Sequence, residues 1–210
     1  MDRTGRIVLA LCGCRRVGKD TVADWFLAPF SGQKLRLAPF EHVKISTAMK
    51  RCVAQLFDLS HDDVAGADKD TVHPRWGVAP RRIMQWFGTD VMQHHLSAEL
   101  LPQAGRSFWV DKTVHDVRRH VVAGTHVVIS DVRFPHELDA LEAAFGSSVV
   151  SVFIERACPG SADGAVDAHE SESGVVALRG RATAVVVNDG TRDELCRRVY
   201  DAVVAAAITA

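Results

Sequence analysis

The residues best able to do chemistry stand near the start of the chain, where Gly13-Cys-Arg-Arg-Val-Gly18-Lys19-Asp20-Thr21 follows an apolar run and precedes an amphipathic one. Gly13 and Gly18 let the backbone turn tightly enough for successive N–H groups to converge, and such a concavity binds anions. A helix opening at Lys19 adds the partial positive charge of its N-terminus. Lys19 brings a mobile ammonium that can reach terminal phosphates. Strand, glycine loop and helix in this order make a P-loop, so the expected ligand is ATP, with Gly13, Arg16, Gly18 and Lys19 on its phosphates and Lys19 also catalytic. The residue after the lysine is ordinarily Ser or Thr, but here it is Asp20. A carboxylate therefore stands where a hydroxyl usually meets Mg²⁺, and Thr21 is the nearest hydroxyl; both are metal candidates, since Mg²⁺ takes hard oxygen donors. Asp20 could equally face an acceptor and join in catalysis.

A second carboxylate, Asp131, ends the run His126 to Ser130. The C-terminal edge of a parallel strand is where α/β sheets bind ligands, so Asp131 is a further candidate for a Mg²⁺-bound water or for substrate. Arg133 follows two residues later, and Arg156 ends another apolar run. Phosphoryl transfer is catalysed mainly by positioning and by positive charge on the moving phosphate. Arginines near the ends of several elements therefore favour a small kinase, with Arg133 and Arg156 catalytic and Arg179 and Arg181 joining Arg156 from the far side of a flap. A GTPase would need a base-reading Asn/Thr-Lys-x-Asp segment, which the sequence lacks.

These groups must be held by an alternation of short apolar and longer amphipathic runs, the pattern of an α/β domain with a mostly parallel sheet. Strands are expected at Arg6 to Cys12, His42 to Ile45, Thr125 to Ser130, Ser148 to Ile154 and Thr183 to Val187. Helices are expected near Lys19 to Leu27, Thr47 to Phe57, Pro80 to His94, Phe108 to Val122, Pro135 to Phe145 and Arg192 to Ala207. Pro80 and Pro135 suit a first helical turn, and Thr191 with Glu194 reads as a capping box. The Gly/Ser/Ala/Asp-rich stretch Ala157 to Gly174 has no period and reads as a loop or flap.

The whole of residues 1–210 reads as a single P-loop kinase domain, with enough apolar content, 47%, to fill one core. Charges nearly cancel, 25 Lys plus Arg against 26 Asp plus Glu, which argues against nucleic acid polymers and membranes as partners. Arg outnumbers Lys 19 to 6. That suits bidentate phosphate binding, although a GC-rich genome would write the same bias. Five scattered cysteines, the lack of a signal-like leader and the lack of a transmembrane span make a reducing cytoplasm the expected setting. The Ala/Val-rich last helix expects burial, against its own sheet or across a homodimer.

Several segments together resemble the bacteriophage-type deoxynucleoside monophosphate kinases: GCRRVGKDTVADWF, RRIMQWFGTDVMQ at Arg81 to Gln93, Phe108-Trp109-Val110, VVISDVRFPHELDAL at Val127 to Leu141, HESESG at His169 to Gly174, and VVVNDGTRDEL at Val185 to Leu195. Animal-type phosphomevalonate kinases share a similar cradle, a strand ending in Ser-Asp-x-Arg and a Glu-Ser-Glu segment, but lack the Gln-x-x-Gly-Thr-Asp helix. The resemblance implies an adenylate-kinase-like, three-layer fold with about five parallel strands and a mobile lid, which transfers the γ-phosphate of ATP, with Mg²⁺, to a deoxynucleoside monophosphate. It implies an acceptor-binding helical region at about 47–123 and a lid at about 156–182. On the helix from Pro80, Arg82, Gln85 and Thr89 share a face; with Arg81 they are the candidates for the acceptor phosphate and base edge, and Trp86 for stacking on the ring. Asn188 is placed by resemblance beside the adenine of ATP. Two alternatives stay open: another small-metabolite kinase of the phosphomevalonate type, and a non-catalytic nucleotide-binding module, which the Asp20 departure favours.

Overall fold

A computed structural model describes residues 5–28, 39–104, 106–156 and 170–209. The chain divides into two compact units, one comprising Met1–Lys44 and Thr113–Ala210, the other Ile45–Lys112.

In the first unit, strands β1 (Val8–Cys12), β2 (Phe40–Val43), β3 (His126–Val132), β4 (Val149–Glu155) and β5 (Ala184–Val187) form one sheet in the order β2-β3-β1-β4-β5. Every pairing is parallel. β1 lies at the centre and is solidly apolar because helices cover both faces: Leu9 and Leu11 on one side and Val8 and Ala10 on the other are all fully buried. Helix α1 (Lys19–Leu27) and the last helix, α9 (Arg192–Thr209), cover one face. There Val22, Ala23 and Phe26 meet Leu195, Cys196, Val199 and Val203 over the sheet. The apolar stripe of α9 thus packs against its own sheet, although Ile208 near its end stays exposed. Helix α7 (Pro135–Phe145) packs on β4 and on α8 (Glu170–Leu178). A shift of pairing between Ala10 and Cys12 puts Cys12 opposite Val132, at the end where the glycine loop leaves β1.

The second unit has its own small core of Val53, Leu59, Val64, Ile83 and Met84, with Met49 and Phe87 packed against it. Its helices are α2 (Ser46–Phe57), the single turn α3 (His61–Val64), and a long run from Pro80 made of α4 (Pro80–Gln85), a π-helical stretch (Trp86–His95) and α5 (Leu96–Glu99). Helix α6 (Phe108–Val122) starts in this unit and ends in the other.

The expected strands and helices are present, with ends shifted by a few residues. Two differences matter. The helix from Pro80 does not keep α-helical pitch, and Glu170–Leu178 is helix, whereas the sequence read as loop through Gly174. The remaining flap positions, including His169, lie outside the described residues. Among the described residues, no helix is long and apolar enough to cross a membrane.

Candidate active site

The glycine loop turns where its residue types permit. Gly13, Arg16 and Gly18 all have positive φ, at 133°, 62° and 106°. At Gly13 a Cβ would collide with the carbonyl oxygen of Ile154 in β4 and meet Val17 Cγ2 at 3.1 Å, so glycine is required by space as well as by φ. At Gly18 a Cβ would lie 2.7 Å from Leu195 and 3.2 Å from Asn188 Nδ2. The loop is therefore wedged between the end of β4 and the start of α9. Arg16 holds its left-handed conformation without glycine's freedom, a local cost of about 1–3 kcal/mol that the surrounding turn must hold in place.

Lys19 folds back over the loop, its Nζ donating to the carbonyls of Gly13 and Cys14 at 2.6 Å each. Two backbone oxygens at that spacing hold the ammonium over the mouth of the turn. Asn188, expected beside adenine, braces the loop from behind: its Nδ2 donates to Val17 O at 2.9 Å and its backbone N–H to Glu155 O at 2.6 Å.

Asp20, on the first turn of α1, is held by side chains from two other segments. Lys44, just past β2, places its Nζ 2.8 Å from Oδ1, and the hydroxyl of Ser130 in β3 donates to the same oxygen at 2.9 Å. His42 Nε2 lies 2.8 Å from that hydroxyl. Partial burial raises the Asp20 pKa, but the hydrogen bonds from Lys44 and Ser130 and the Lys44 charge outweigh it and hold the group below the usual carboxylate range. Burial and the Lys44 ammonium together depress the His42 imidazole, against the pull of Asp20 and Asp131. Asp131 follows Ser130 at the C-terminal end of β3 and is half-buried. Asp20 and Asp131 bring carboxylates and Thr21 a hydroxyl, all hard oxygen donors. Mg²⁺ prefers one or two carboxylates completed by phosphate and water, so the residues present fit that ion; among the described residues there is no cluster of three His, Cys, Asp or Glu side chains.

The turn after β3 is fixed from inside. Glu137 Oε2 accepts the backbone N–H of Arg133 at 2.7 Å and of Phe134 at 3.0 Å. It is buried, and burial with the neighbouring Asp131 charge pushes its carboxyl up to about 7 against those two donors. Arg133 is thereby set by a carboxylate the sequence presents only as an ordinary acidic first-turn residue. Arg156 is exposed at the end of β4. Of the arginines expected to join it from the flap, Arg179 is held by Glu155 at 2.7 and 3.2 Å, and Arg181 by Asp139 at 2.5 Å and Glu142 at 3.3 Å.

In the second unit, Arg81, Arg82, Gln85, Trp86 and Thr89 all lie on one continuous helix, but not on one face. In the α-helical part Arg82 is exposed and Gln85 half-buried, while Thr89, inside the π stretch where wider turns shift the α-helical register, is buried. Arg81 is paired with Asp70, its Nη2 at 3.0 Å from Oδ2. Trp86 is more than half exposed. Gly88, within the π stretch, gives its carbonyl to the buried indole N–H of Trp109 at 2.9 Å. Gln93 is buried, and its Oε1 has no hydrogen-bond partner among the described residues.

Sequence reading missed His42, Lys44, Ser130 and Glu137. Ser130 and Glu137 stood inside a recognised segment, but nothing local marks a hydroxyl or a carboxylate as inward-facing. Lys44 and His42 sit in the weakest strand signal of the chain and meet Asp20 only through the sheet.

Comparison with known proteins adds lineage to this geometry. A family model described as deoxynucleotide monophosphate kinase matches residues 69–199. That span takes in the long helix, the β3 edge with Asp131 and Arg133, and the Asn188 turn; the glycine loop lies before it. A protein of Acanthamoeba polyphaga mimivirus, provisionally named a deoxynucleotide monophosphate kinase, is 28% identical over 202 residues, covering 94% of this chain and 96% of the viral one. Similar solved structures include a shikimate kinase from Aquifex aeolicus (14% identity, TM-score 0.49, 97% of this chain and 100% of that one). An APS kinase from Mycobacterium tuberculosis is also similar (11% identity, TM-score 0.48, 94% and 96%).

Proposed function

The chain belongs to the deoxynucleotide monophosphate kinase family and is a nucleotide kinase, and from that premise we propose that it transfers the γ-phosphate of ATP to a deoxynucleoside 5′-monophosphate, giving the diphosphate. One observation carries the reading: a turn with three positive-φ residues, Gly13, Arg16 and Gly18, over which Lys19 is held by two loop carbonyls beside a doubly bonded Asp20. Such a turn offers converging N–H groups and a cation to a polyphosphate.

The donor's phosphates are assigned to Gly13, Arg16, Gly18, Lys19 and Thr21, with Asn188 supporting the loop. Lys19 and Arg133 stabilise charge on the moving phosphoryl group, and Arg156 joins them from the end of β4. Asp20, Thr21 and Asp131 are the residues that would hold Mg²⁺, which when bound neutralises charge on the donor phosphates. The acceptor is assigned to Arg82, Gln85, Trp86 and Thr89 in the helical region at about 47–123, with Arg81 set by Asp70 as a neighbouring cation. An exposed Trp86 offers a flat apolar face to a base, and an exposed Arg82 offers a fork to a phosphate. Asp131, at the C-terminal end of β3, is assigned to the substrate side as well. A cytoplasmic setting belongs to the same proposal, supported by Cys12, Cys14, Cys52 and Cys196 being free thiols.

A coupled assay for ADP across the four common dNMPs, the matching NMPs and phosphomevalonate tests the assignment. ADP formation dependent on at least one dNMP is expected. Turnover on phosphomevalonate alone, or ATP binding with no turnover on any acceptor, would contradict it.

A further inference from the structure

The Asp20 carboxylate ends a chain of polar side chains drawn from three elements. His42 in β2 contacts Ser130 in β3 at 2.8 Å, and Ser130 donates to Asp20 in α1 at 2.9 Å. Counting protons orients the chain. A serine hydroxyl carries one proton, and an ionised carboxylate only accepts. With the Ser130 proton given to Asp20, the contact with His42 is a hydrogen bond only when His42 Nε2 carries a proton and donates it. The chain therefore runs one way, from imidazole N–H through hydroxyl to carboxylate. Ending on a charge, it is the kind of series in which each bond polarises the next. Ser130 is 2% exposed, so water has little access to replace either of its bonds. Lys44 holds the same oxygen, Oδ1, at 2.8 Å. Two donors on one oxygen fix the plane of the carboxylate and with it the direction of Oδ2.

Residues behind a metal ligand govern how well it is aimed, and removing one commonly weakens metal binding 10–100-fold. We propose that His42 is a positioning residue which, acting through Ser130, holds the Asp20 carboxylate in the orientation that meets the donor's divalent cation. This rests on the assignment of Asp20 to that cation in a phosphotransferase. Neither His42 nor Lys44 belongs to the glycine loop, so the sheet itself tunes the loop's unusual carboxylate.

The test is Mn²⁺ titration of the full chain with saturating ATP, read by the loss of the free-ion signal in electron paramagnetic resonance, with metal-free ATP titration alongside. His42→Ala and Ser130→Ala are expected to weaken Mn²⁺ about 10–100-fold while metal-free ATP affinity stays within about twofold. His42→Gln, whose amide N–H can donate from a similar place, restores most of the loss, whereas His42→Met, of similar volume but without a donor, does not; equal recovery in both would show a merely space-filling role and overturn the proposal. Wild-type Mn²⁺ affinity in Ser130→Ala overturns the proposal even if His42→Ala fails to fold. So does an Asp20→Asn variant that binds Mn²⁺ as the wild type does. A wild type that binds Mn²⁺ and ATP but phosphorylates no dNMP defeats the function proposed above and leaves the His42 result standing.

Discussion

Gly13 is the residue whose identity the fold dictates most completely. Its φ of 133° lies outside the range that side-chain-bearing residues favour, and a Cβ there would strike the Ile154 carbonyl in a central pair of strands. Gly13→Ala is expected to lose about 1–3 kcal/mol from backbone strain alone, with ATP affinity falling in parallel; melting and ATP titration of the same sample check both. Asn188→Ala acts from the other side of the loop by removing the donor to Val17 O. One hydrogen bond is worth about 1 kcal/mol, so ATP should bind about fivefold more weakly with little change in kcat, and unchanged ATP binding would remove Asn188 from the site. The glycines and Lys19 were legible because their roles follow from backbone freedom and charge within nine consecutive residues. His42 and Lys44 were not, since what makes them matter is a contact with Asp20 that only strand order creates.

Two elements carry tests of their own. The turn joining β3 to α7 is tied by Glu137, whose two hydrogen bonds both end on Oε2, so a glutamine carbonyl can replace it. Its folded pKa of about 7 lies above the ordinary 4.5. Between those values the folded protein binds more protons than the unfolded chain, and this group's contribution to stability falls as pH rises from about 4.5 to about 7. His126 works in the opposite sense: burial, with the Arg6 charge, lowers its pKa to about 4, and it accepts the Ile7 N–H, so its contribution is lost as pH falls from 6.5 to about 4. The difference between wild type and Glu137→Gln isolates the first effect: the variant should gain on the wild type as pH rises through 5 to 7 in denaturant melts, and a flat difference would refute the assignment. In the other unit, the Gly88 carbonyl in the π stretch accepts the buried indole N–H of Trp109. Trp109→Phe should cost about 0.5–1.5 kcal/mol for the lost hydrogen bond, measured by chemical unfolding. Amphipathic period gave the start of this helix correctly, because Pro80 marks it. It could not give the wider turn of the stretch that holds the buried Thr89, since hydrogen-bond pitch leaves no trace in residue type.

At the scale of the molecule, apolar strands buried on both faces and amphipathic helices between them were readable because periodicity and length separate the two. The sequence reads as a single domain, and the separate unit Ile45–Lys112 carries no strand signal among its described residues to set it apart. The family match covers 69–199 and leaves out the glycine loop. The loop and the matched region were therefore independent signs of the same activity, one physical and one by descent. Their joint claim is that the loop holds the donor whose phosphate the rest of the chain directs. Incubation with γ-labelled ATP and a dNMP, followed by separation of the nucleotides, tests it most directly. The wild type should place label in the deoxynucleoside diphosphate, and Lys19→Ala, folded by circular dichroism, should do so about 10²–10³-fold more slowly. Label transfer by Lys19→Ala at the wild-type rate, or label released only as free phosphate by the wild type, would contradict it.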